Sequence, residues 1–362
     1  MGSERRFYRT ENLLRRTLRV AYPPGHGEIV LRTELDWDQD VPPISTTGDG
    51  ISTFQLETCE PFLYFKPCLI KGQQFLWAKG DNRLLIMTED DRRVFYPYFR
   101  GPECGKCSAL VTFESAILGR QHRARVYVPP GYDENTLAKY PVAFFQDGQN
   151  LFFPEEAFQG QDWGVDSTLR QLRSMGAVED IILVGLYSGS EREKEYTKPG
   201  YDLYARSLVE EVVPETEARL RVMSGRRYRS VWGSSLGGVV SFYAVWEHPE
   251  TFGAAVCMSS TFSHQDDLLD RVMTDDFRDV GFYLDSGWPG DNYETTLGMA
   301  MALISRGWRW GHNLLHLVYP NAMHNEHDWG LRLHIPLQML AGAVPRYSRI
   351  AFPVLEDFAR PS

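Results

Sequence analysis

Cysteine is scarce in this chain of 362 residues, with five in all, at positions 59, 68, 104, 107 and 257. An odd, sparse set does not build a disulfide framework and fits a reducing compartment. Cys104-Gly-Lys-Cys107 is a C-x-x-C pair, but no second pair completes a zinc set and no histidine lies beside Cys59 or Cys68. It also sits in a Gly/Pro loop, whereas redox C-x-x-C sites open a helix, so free thiols at a domain junction are expected. Long apolar runs are missing as well. No stretch approaches the ~20 residues that a bilayer-spanning helix needs. The opening Met-Gly-Ser-Glu-Arg-Arg-Phe-Tyr-Arg-Thr is basic without an apolar core behind it, so no secretory signal is expected. Positive charge is in deficit: 38 Lys and Arg against 48 Asp and Glu leave a net charge of −10. That argues against nucleic acid or an anionic membrane as partner. Internal repeats and low-complexity tracts are also lacking. What is present is the composition of a soluble globular protein, 43% hydrophobic and 24% charged, with the length of two domains; the sparse cysteines and the opening residues make the cytoplasm the expected compartment.

The rhythm of the chain changes near its first hundred residues. Glu28-Ile-Val-Leu-Arg-Thr-Glu-Leu-Asp-Trp, Ser52-Thr-Phe-Gln-Leu-Glu-Thr and Phe62-Leu-Tyr-Phe-Lys alternate with period two, and Arg83-Leu-Leu-Ile-Met and Arg93-Val-Phe-Tyr-Pro-Tyr-Phe are further strand candidates. Gly48-Asp-Gly and Gly80-Asp-Asn punctuate them. Short strands with regular turns predict a small antiparallel sandwich over residues 1–103. Arg100-Gly-Pro-Glu-Cys-Gly-Lys-Cys-Ser has the composition of a junction. In residues 104–362, apolar runs at Val111, Arg123, Pro141, Asp180, Tyr228, Gly253, Gly281 and Leu314 alternate with helical patterns over 165–175, 201–220, 239–246, 293–305 and 328–340. That alternation predicts an α/β fold, a mostly parallel sheet with helices on both faces.

Within this second part lies Gly233-Ser-Ser-Leu-Gly237, a G-x-S-x-G between a strand-like run and a helix-like run. Three small residues at this spacing match by accident roughly 0.1 times in a chain of this length, so the context carries the reading. A sharp strand-to-helix turn forces the Ser235 hydroxyl into the open and leaves the following N–H, that of Leu236, free to bind an oxyanion. A base for such a serine is expected after the last strand, in Pro320-Asn-Ala-Met-His-Asn-Glu-His-Asp-Trp. His324 lies in this loop, while His327 falls in the first turn of the next helix. An orienting acid is expected after the strand before it, where Asp291, Asp285 and Glu294 are the candidates and Asp291 fits best. A second oxyanion donor belongs in the loop after an early strand, and Phe144-Phe-Gln-Asp-Gly-Gln-Asn offers the amide of Gln149, with Gly148 letting the backbone turn inward. Aromatics crowd these segments, and Trp163, Trp288 and Trp329 are candidates for binding a substrate with rings or flat faces.

From about Val111 to Leu340 the chain resembles the enterochelin esterase and esterase D group of α/β-hydrolases, which includes feruloyl and acetylxylan esterases and mycolyltransferases. The resemblance rests on Arg125-Val-Tyr-Val-Pro-Pro-Gly-Tyr, Phe145-Gln-Asp-Gly-Gln-Asn-Leu-Phe, the Trp163 segment, Ser190-Glu-Arg-Glu-Lys-Glu-Tyr, Gly233-Ser-Ser-Leu-Gly-Gly and His324-Asn-Glu-His-Asp-Trp. It implies an α/β-hydrolase preceded by a β-sandwich, and a serine esterase with Ser235 as nucleophile, His324 as base and Asp291 as acid. The substrate expected is a small-molecule ester, bulky or aromatic; an acyltransferase using the same triad and a catalytically silent binding protein are the alternatives on this fold. Enterochelin esterases carry a sandwich that leans over the site, so residues 1–103 are expected near Ser235, shaping its mouth. Homo-oligomers are compatible with all of this.

No cofactor is expected, and no Cys, His and carboxylate spacing suits a metal. EDTA should therefore leave any activity unchanged; a loss restored by a divalent ion would contradict this reading.

Overall fold

Period-two alternation in the first part of the chain does build strands. A computed structural model describes residues 12–88 and 93–342; the opening decapeptide, where no signal was expected, lies outside these. The strands are β1 Leu14–Ala21, β2 Glu28–Thr33, β3 Asp36–Val41, β4 Ser45–Thr46, β5 Ile51–Thr58, β6 Phe62–Lys71, β7 Gln74–Trp77, β8 Arg83–Ile86 and β9 Val94–Phe95. They form two sheets, in the orders β4-β5-β1-β9 and β3-β2-β6-β7, with β8 added to β6. Leu18, Val20, Phe54 and Leu56 from the first sheet and Leu31, Phe65 and Leu85 from the second share one buried core. The single long alternation read from Glu28 to Trp37 is in fact a hairpin, with β2 and β3 paired antiparallel across Glu34-Leu35. The strand read from Arg93 shrinks to two residues, since Pro97 has no N–H to give a ladder.

The second part forms a nine-stranded sheet, from β10 Lys106–Cys107, β11 Val111–Ser115, β12 Arg120–Val128, β13 Val142–Phe145, β14 Ile182–Leu186, β15 Arg229–Ser234, β16 Ala254–Met258, β17 Gly281–Trp288 and β18 Leu314–Pro320. The order is β10-β12-β14-β13-β15-β16-β17-β18, with β11 on β12. Strands β13 to β18 run parallel, and β12 is antiparallel to β14. Successive side chains of a strand face opposite ways, and the sheet uses both. Val142, Phe144, Val184, Val231, Cys257 and Leu284 enter one core. Ala143, Phe145, Leu183, Trp232, Met258 and Tyr283 enter the other. Helix α5 Leu236–Glu247, buried from Leu236 to Trp246, fills the first face. Helices α1 Val165–Ser174, α8 Glu326–Arg332 and α9 His334–Ala341 cover the second.

Two helices read as continuous are divided. The 201–220 pattern becomes α3 Gly200–Ser207, a π turn at Leu208–Val212 and α4 Val213–Arg219. Pro214, in the first turn of α4, cannot donate backward, so the ladder is rewound just before it. The 328–340 pattern splits at Leu333 into α8 and α9, with Pro336 in the first turn of α9, where N–H groups lack helical acceptors anyway. The remaining helices are α2 Arg192–Tyr196, α6 Leu268–Thr274 and α7 Tyr293–Ser305. Among the described residues, no helix is long and apolar enough to cross a membrane.

The sandwich does not sit where the resemblance placed it. Its polar contacts to the second part fall on the loops that lead into β13 and β14 and on the last turn of α1. The Tyr22 hydroxyl and the amides of Phe99 and Arg100 donate to Glu134 at 2.8, 2.9 and 2.8 Å. Arg93 pairs with Glu179 at 2.7 Å, and Arg173 Nη1 reaches the Tyr98 hydroxyl at 3.5 Å. Ser235 follows β15 and so lies at the other, C-terminal end of the parallel strands. The expected contact at its mouth is therefore corrected: among the described residues the sandwich grips the far end of the sheet. Its central tie is Asn135, 1% exposed, whose Nδ2 donates to the carbonyls of Ala21 (2.9 Å) and Pro97 (2.8 Å). Replacing Asn135 by Ala strands both carbonyls. It should destabilise the protein by about 1–3 kcal/mol, read as a lower urea midpoint; a variant of wild-type midpoint would show that this bridge carries no weight.

Candidate active site

Strand β15 ends and α5 begins within one residue, and Ser235 is that residue. Its backbone has φ 54 and ψ −125, a conformation that non-glycine residues avoid and that persists only where the surroundings impose it. The Ser235 amide donates to Met258 O at 2.9 Å, tying the turn to β16. The flanks must be bare: a Cβ on Gly233 would stand 2.3 Å from the Gly237 carbonyl carbon. Buried neighbours surround the turn, yet Ser235 itself keeps partial access to solvent.

His324 reaches it from the loop after β18. Its Nε2 is 3.0 Å from Ser235 Oγ and its Nδ1 is 2.7 Å from Asp291 Oδ1. The loop is pinned at the start of α8: the N-cap Asn325 Oδ1 accepts from the Asp328 amide at 2.9 Å, and Asp328 Oδ2 reaches back to accept from the Met323 amide at 2.6 Å. Trp329 meets the imidazole edge-on, with ring centroids 5.0 Å apart. His327 lies on α8, exposed, as its spacing suggested.

Asp291 stands in the turn between β17 and α7 with its side chain fully buried. Burial alone would favour the neutral acid, but His324, the Ser259 hydroxyl (2.5 Å) and the amides of Gly287 (2.7 Å) and Asn292 (2.8 Å) hold it down at about 2. The other acid candidates are elsewhere. Asp285, also fully buried, binds Arg332 through two contacts at 3.0 and 3.1 Å and accepts from the Tyr283 hydroxyl at 2.8 Å. Burial pushes its carboxyl up, against the pull of Arg332 and Tyr283. Glu294 is exposed in the first turn of α7.

The loop after β13 is tightly held. Gly148 is required by close approach, since a Cβ there would lie 2.1 Å from the Gly185 carbonyl carbon. The inward turn itself is made by its neighbour Asp147, with φ 53. The Asp147 carboxylate takes two bonds from Arg192, both 2.7 Å. Gln149 lies in the 3₁₀ turn Gly148–Asn150, its side chain exchanging bonds with Ser188 at 2.9 and 3.1 Å. Asn150 Nδ2 donates to Glu326 Oε1 at 3.2 Å and so joins this loop to the helix after His324. Leu236 opens α5, where first-turn amides have no helical acceptor. Gln149 thus lies in the turn after β13 and Leu236 in the first turn after the neighbouring strand β15.

Of the three tryptophans expected to meet substrate, one has the exposure for it. Trp288, at the end of β17, is 52% exposed. Trp163 and Trp329 are 3% and 4% exposed and belong to the core behind the imidazole, so that role is corrected for both. Further residues complete the site: Ser259 after β16 and Arg332, which lie in no motif, and Arg192, Asn150 and Glu326, which lie in segments that carry the resemblance but had no role of their own there. Among the described residues no group of three or more His, Cys, Asp or Glu could hold a metal ion.

Residues 115–335, more than half of the chain, match the family model described as "Putative esterase". Among curated proteins, the chain is 25% identical over 157 residues to Uncharacterized protein YbbA of Bacillus subtilis, spanning 40% of this chain and 58% of that one. It is 26% identical over 165 residues to an endo-1,4-beta-xylanase/feruloyl esterase of Xylanibacter ruminicola, 44% of this chain and 22% of that one. Among solved structures, a ferulic acid esterase superposes with a TM-score of 0.56 at 21% identity, covering 66% of this chain and 99% of the other. The enterobactin esterase of Shigella flexneri, in the presence of enterobactin, gives 0.55 at 14% identity, covering 91% and 94%. At such identities the superpositions speak for the fold, which is that of the α/β-hydrolases. By its sheet and by the match over residues 115–335, the chain belongs to this esterase family.

Proposed function

We propose that the protein is a serine esterase that hydrolyses a carboxylic ester through an acyl-enzyme on Ser235. The observation that carries this is the unbroken line Ser235 Oγ, His324, Asp291, with spans of 3.0 and 2.7 Å. An ionised carboxylate can only accept, so His324 Nδ1 carries the hydrogen and Nε2 presents its lone pair to the serine hydroxyl. Nε2 takes the Ser235 proton as Oγ attacks the ester carbonyl, and Asp291 stabilises the imidazolium that forms. The oxyanion is met by the amides of Leu236 and Gln149, each such donor typically worth about 3 kcal/mol. Nε2 then protonates the departing alcohol, and water repeats the sequence to release the acid. The structural neighbours include esterases for ferulic acid and enterobactin, and Trp288, exposed at the end of β17, supports an ester bearing a ring. Five cysteines without a disulfide support a cytoplasmic site of action.

Ser235→Ala should lower kcat by about 10³-fold or more and abolish labelling by a fluorophosphonate, followed by intact mass. Labelling of the alanine variant, or a tenth of wild-type turnover, would sink the assignment. His324→Ala should match that loss, because nucleophile and base act as a unit. Asp291→Asn should cost less but substantially, at near wild-type stability. Asp285→Asn should instead act on the fold, since it takes from the buried Arg332 its closer ion-pair partner and leaves only Asp291 at 3.8 Å, a loss of up to roughly 3–5 kcal/mol. A stable but inactive Asp285→Asn beside an active Asp291→Asn would transfer the acid role to Asp285.

A further inference from the structure

The buried side of Asp291 is built around a residue that touches neither Ser235 nor His324. Ser259 follows β16 with φ 43 and has a partner at every polar atom. Its amide donates to Asp285, at 2.8 Å to the carbonyl and 3.2 Å to Oδ1. Its carbonyl accepts from Asn292 Nδ2 at 2.7 Å. Its hydroxyl oxygen has Trp329 Nε1 at 2.9 Å, Arg332 Nη2 at 2.5 Å and Asp291 Oδ2 at 2.5 Å. Indole and guanidinium nitrogens can only donate, and a hydroxyl has two lone pairs and one hydrogen. Trp329 and Arg332 fill both lone pairs, so the one hydrogen of Ser259 has a single destination, the Asp291 carboxylate.

From this hydrogen count we infer that Ser259 is a positioning residue, which acts through Asp291 to set the direction of its bond to His324. The inference rests on the reading of Asp291 as the acid of the triad. Gly287 shares Asp291 Oδ2 with Ser259, while Asn292 and His324 share Oδ1. Two donors on each oxygen leave the carboxylate no rotation that keeps all four. Removing the Ser259 hydroxyl frees one side of it, and the acceptor for His324 Nδ1–H is then no longer fixed. Arg332 and Trp329 hold the Ser259 oxygen; Arg332 also pairs with Asp291 Oδ2 at 3.8 Å and is braced by Asp285 on β17. The site thereby draws its rigidity from three successive segments, after β16, after β17 and along α8.

The experiment is a double-mutant cycle on the full chain with a p-nitrophenyl ester of a short acid. Ser259→Gly removes the hydroxyl at a φ that glycine adopts without strain; it also takes the acceptor from Trp329 Nε1 and Arg332 Nη2, so a lower melting temperature is expected and turnover is compared well below it, where far-UV circular dichroism shows the variant folded. Its kcat should fall about 10- to 100-fold, the scale of a small misplacement of catalytic groups, with KM within about twofold. Introduced on top of Asp291→Asn, the same change should cost nothing more, because its route is already cut. Equal losses in both backgrounds, or no loss in the wild-type background, would overturn the proposal. The low-field proton resonance of the His324–Asp291 hydrogen bond gives a readout apart from turnover. It should shift or broaden in Ser259→Gly and persist in Ser235→Ala; an unchanged resonance in Ser259→Gly would also overturn it. Failure of the triad reading has a different signature, a fully active Asp291→Asn variant.

Discussion

A carboxylate with no solvent on its side chain has to be kept charged by its neighbours, and at Asp291 four donors do this. Desolvation of a lone acid there would favour the neutral form, which could give a hydrogen to the imidazole instead of accepting one. The wrong tautomer at His324 would then point a hydrogen at Ser235 rather than a lone pair. The direction of proton flow in the proposed chemistry thus depends on the hydrogen-bond inventory of one buried side chain. Two of the four donors are backbone amides of Gly287 and Asn292, so the turn after β17 has the carboxylate's shape built into its main chain.

Parallel strands make this possible at modest length. Every segment that contributes follows the C-terminal end of a strand: the Asp147 turn after β13, Ser188 after β14, Ser235 after β15, Ser259 after β16, Asp291 after β17 and His324 after β18. Residues far apart in the chain meet because the sheet aligns its strand ends, as ligand sites of open α/β sheets generally do. The cross-links among these loops then remove the remaining freedom: Asp147 with Arg192, Gln149 with Ser188, Asn150 with Glu326, and Ser259 with Arg332.

What could be read from the sequence was what has a local signature. The elbow at Ser235, the loop position of His324 and the strand–helix alternation around them announce themselves through glycine spacing and apolar period. Asp291 could be preferred over Asp285 because a residue past a Gly turn has room to reach a neighbouring loop, while a strand-end residue is committed to the sheet. Partners made by packing had no such mark. Arg332 is one more polar position on an amphipathic helix until β17 brings Asp285 beside it. Strand β1, Leu14–Ala21, has little apolar alternation to show, because Arg15, Thr17 and Arg19 form its exposed face and a further arginine, Arg16, stands on the other. Trp163 and Trp329 carry no mark of their place, because abundance of aromatics near a site does not say which side of the wall they form. The place of the sandwich was drawn from likeness of architecture, and the loops entering β13 and β14 that decide it, through Glu134, Asn135 and Glu179, carry no motif.

That attachment at the entry ends of the strands has a bearing on how the protein can vary. Substitutions in the sandwich or at its seam act on residues that precede the strands, whereas selectivity would be retuned in loops that follow them. The two sets of positions are separated by the length of the strands and share few side chains. A change in the sandwich therefore reaches the reactive loops only through the sheet between them, and a change in those loops reaches the seam by the same route.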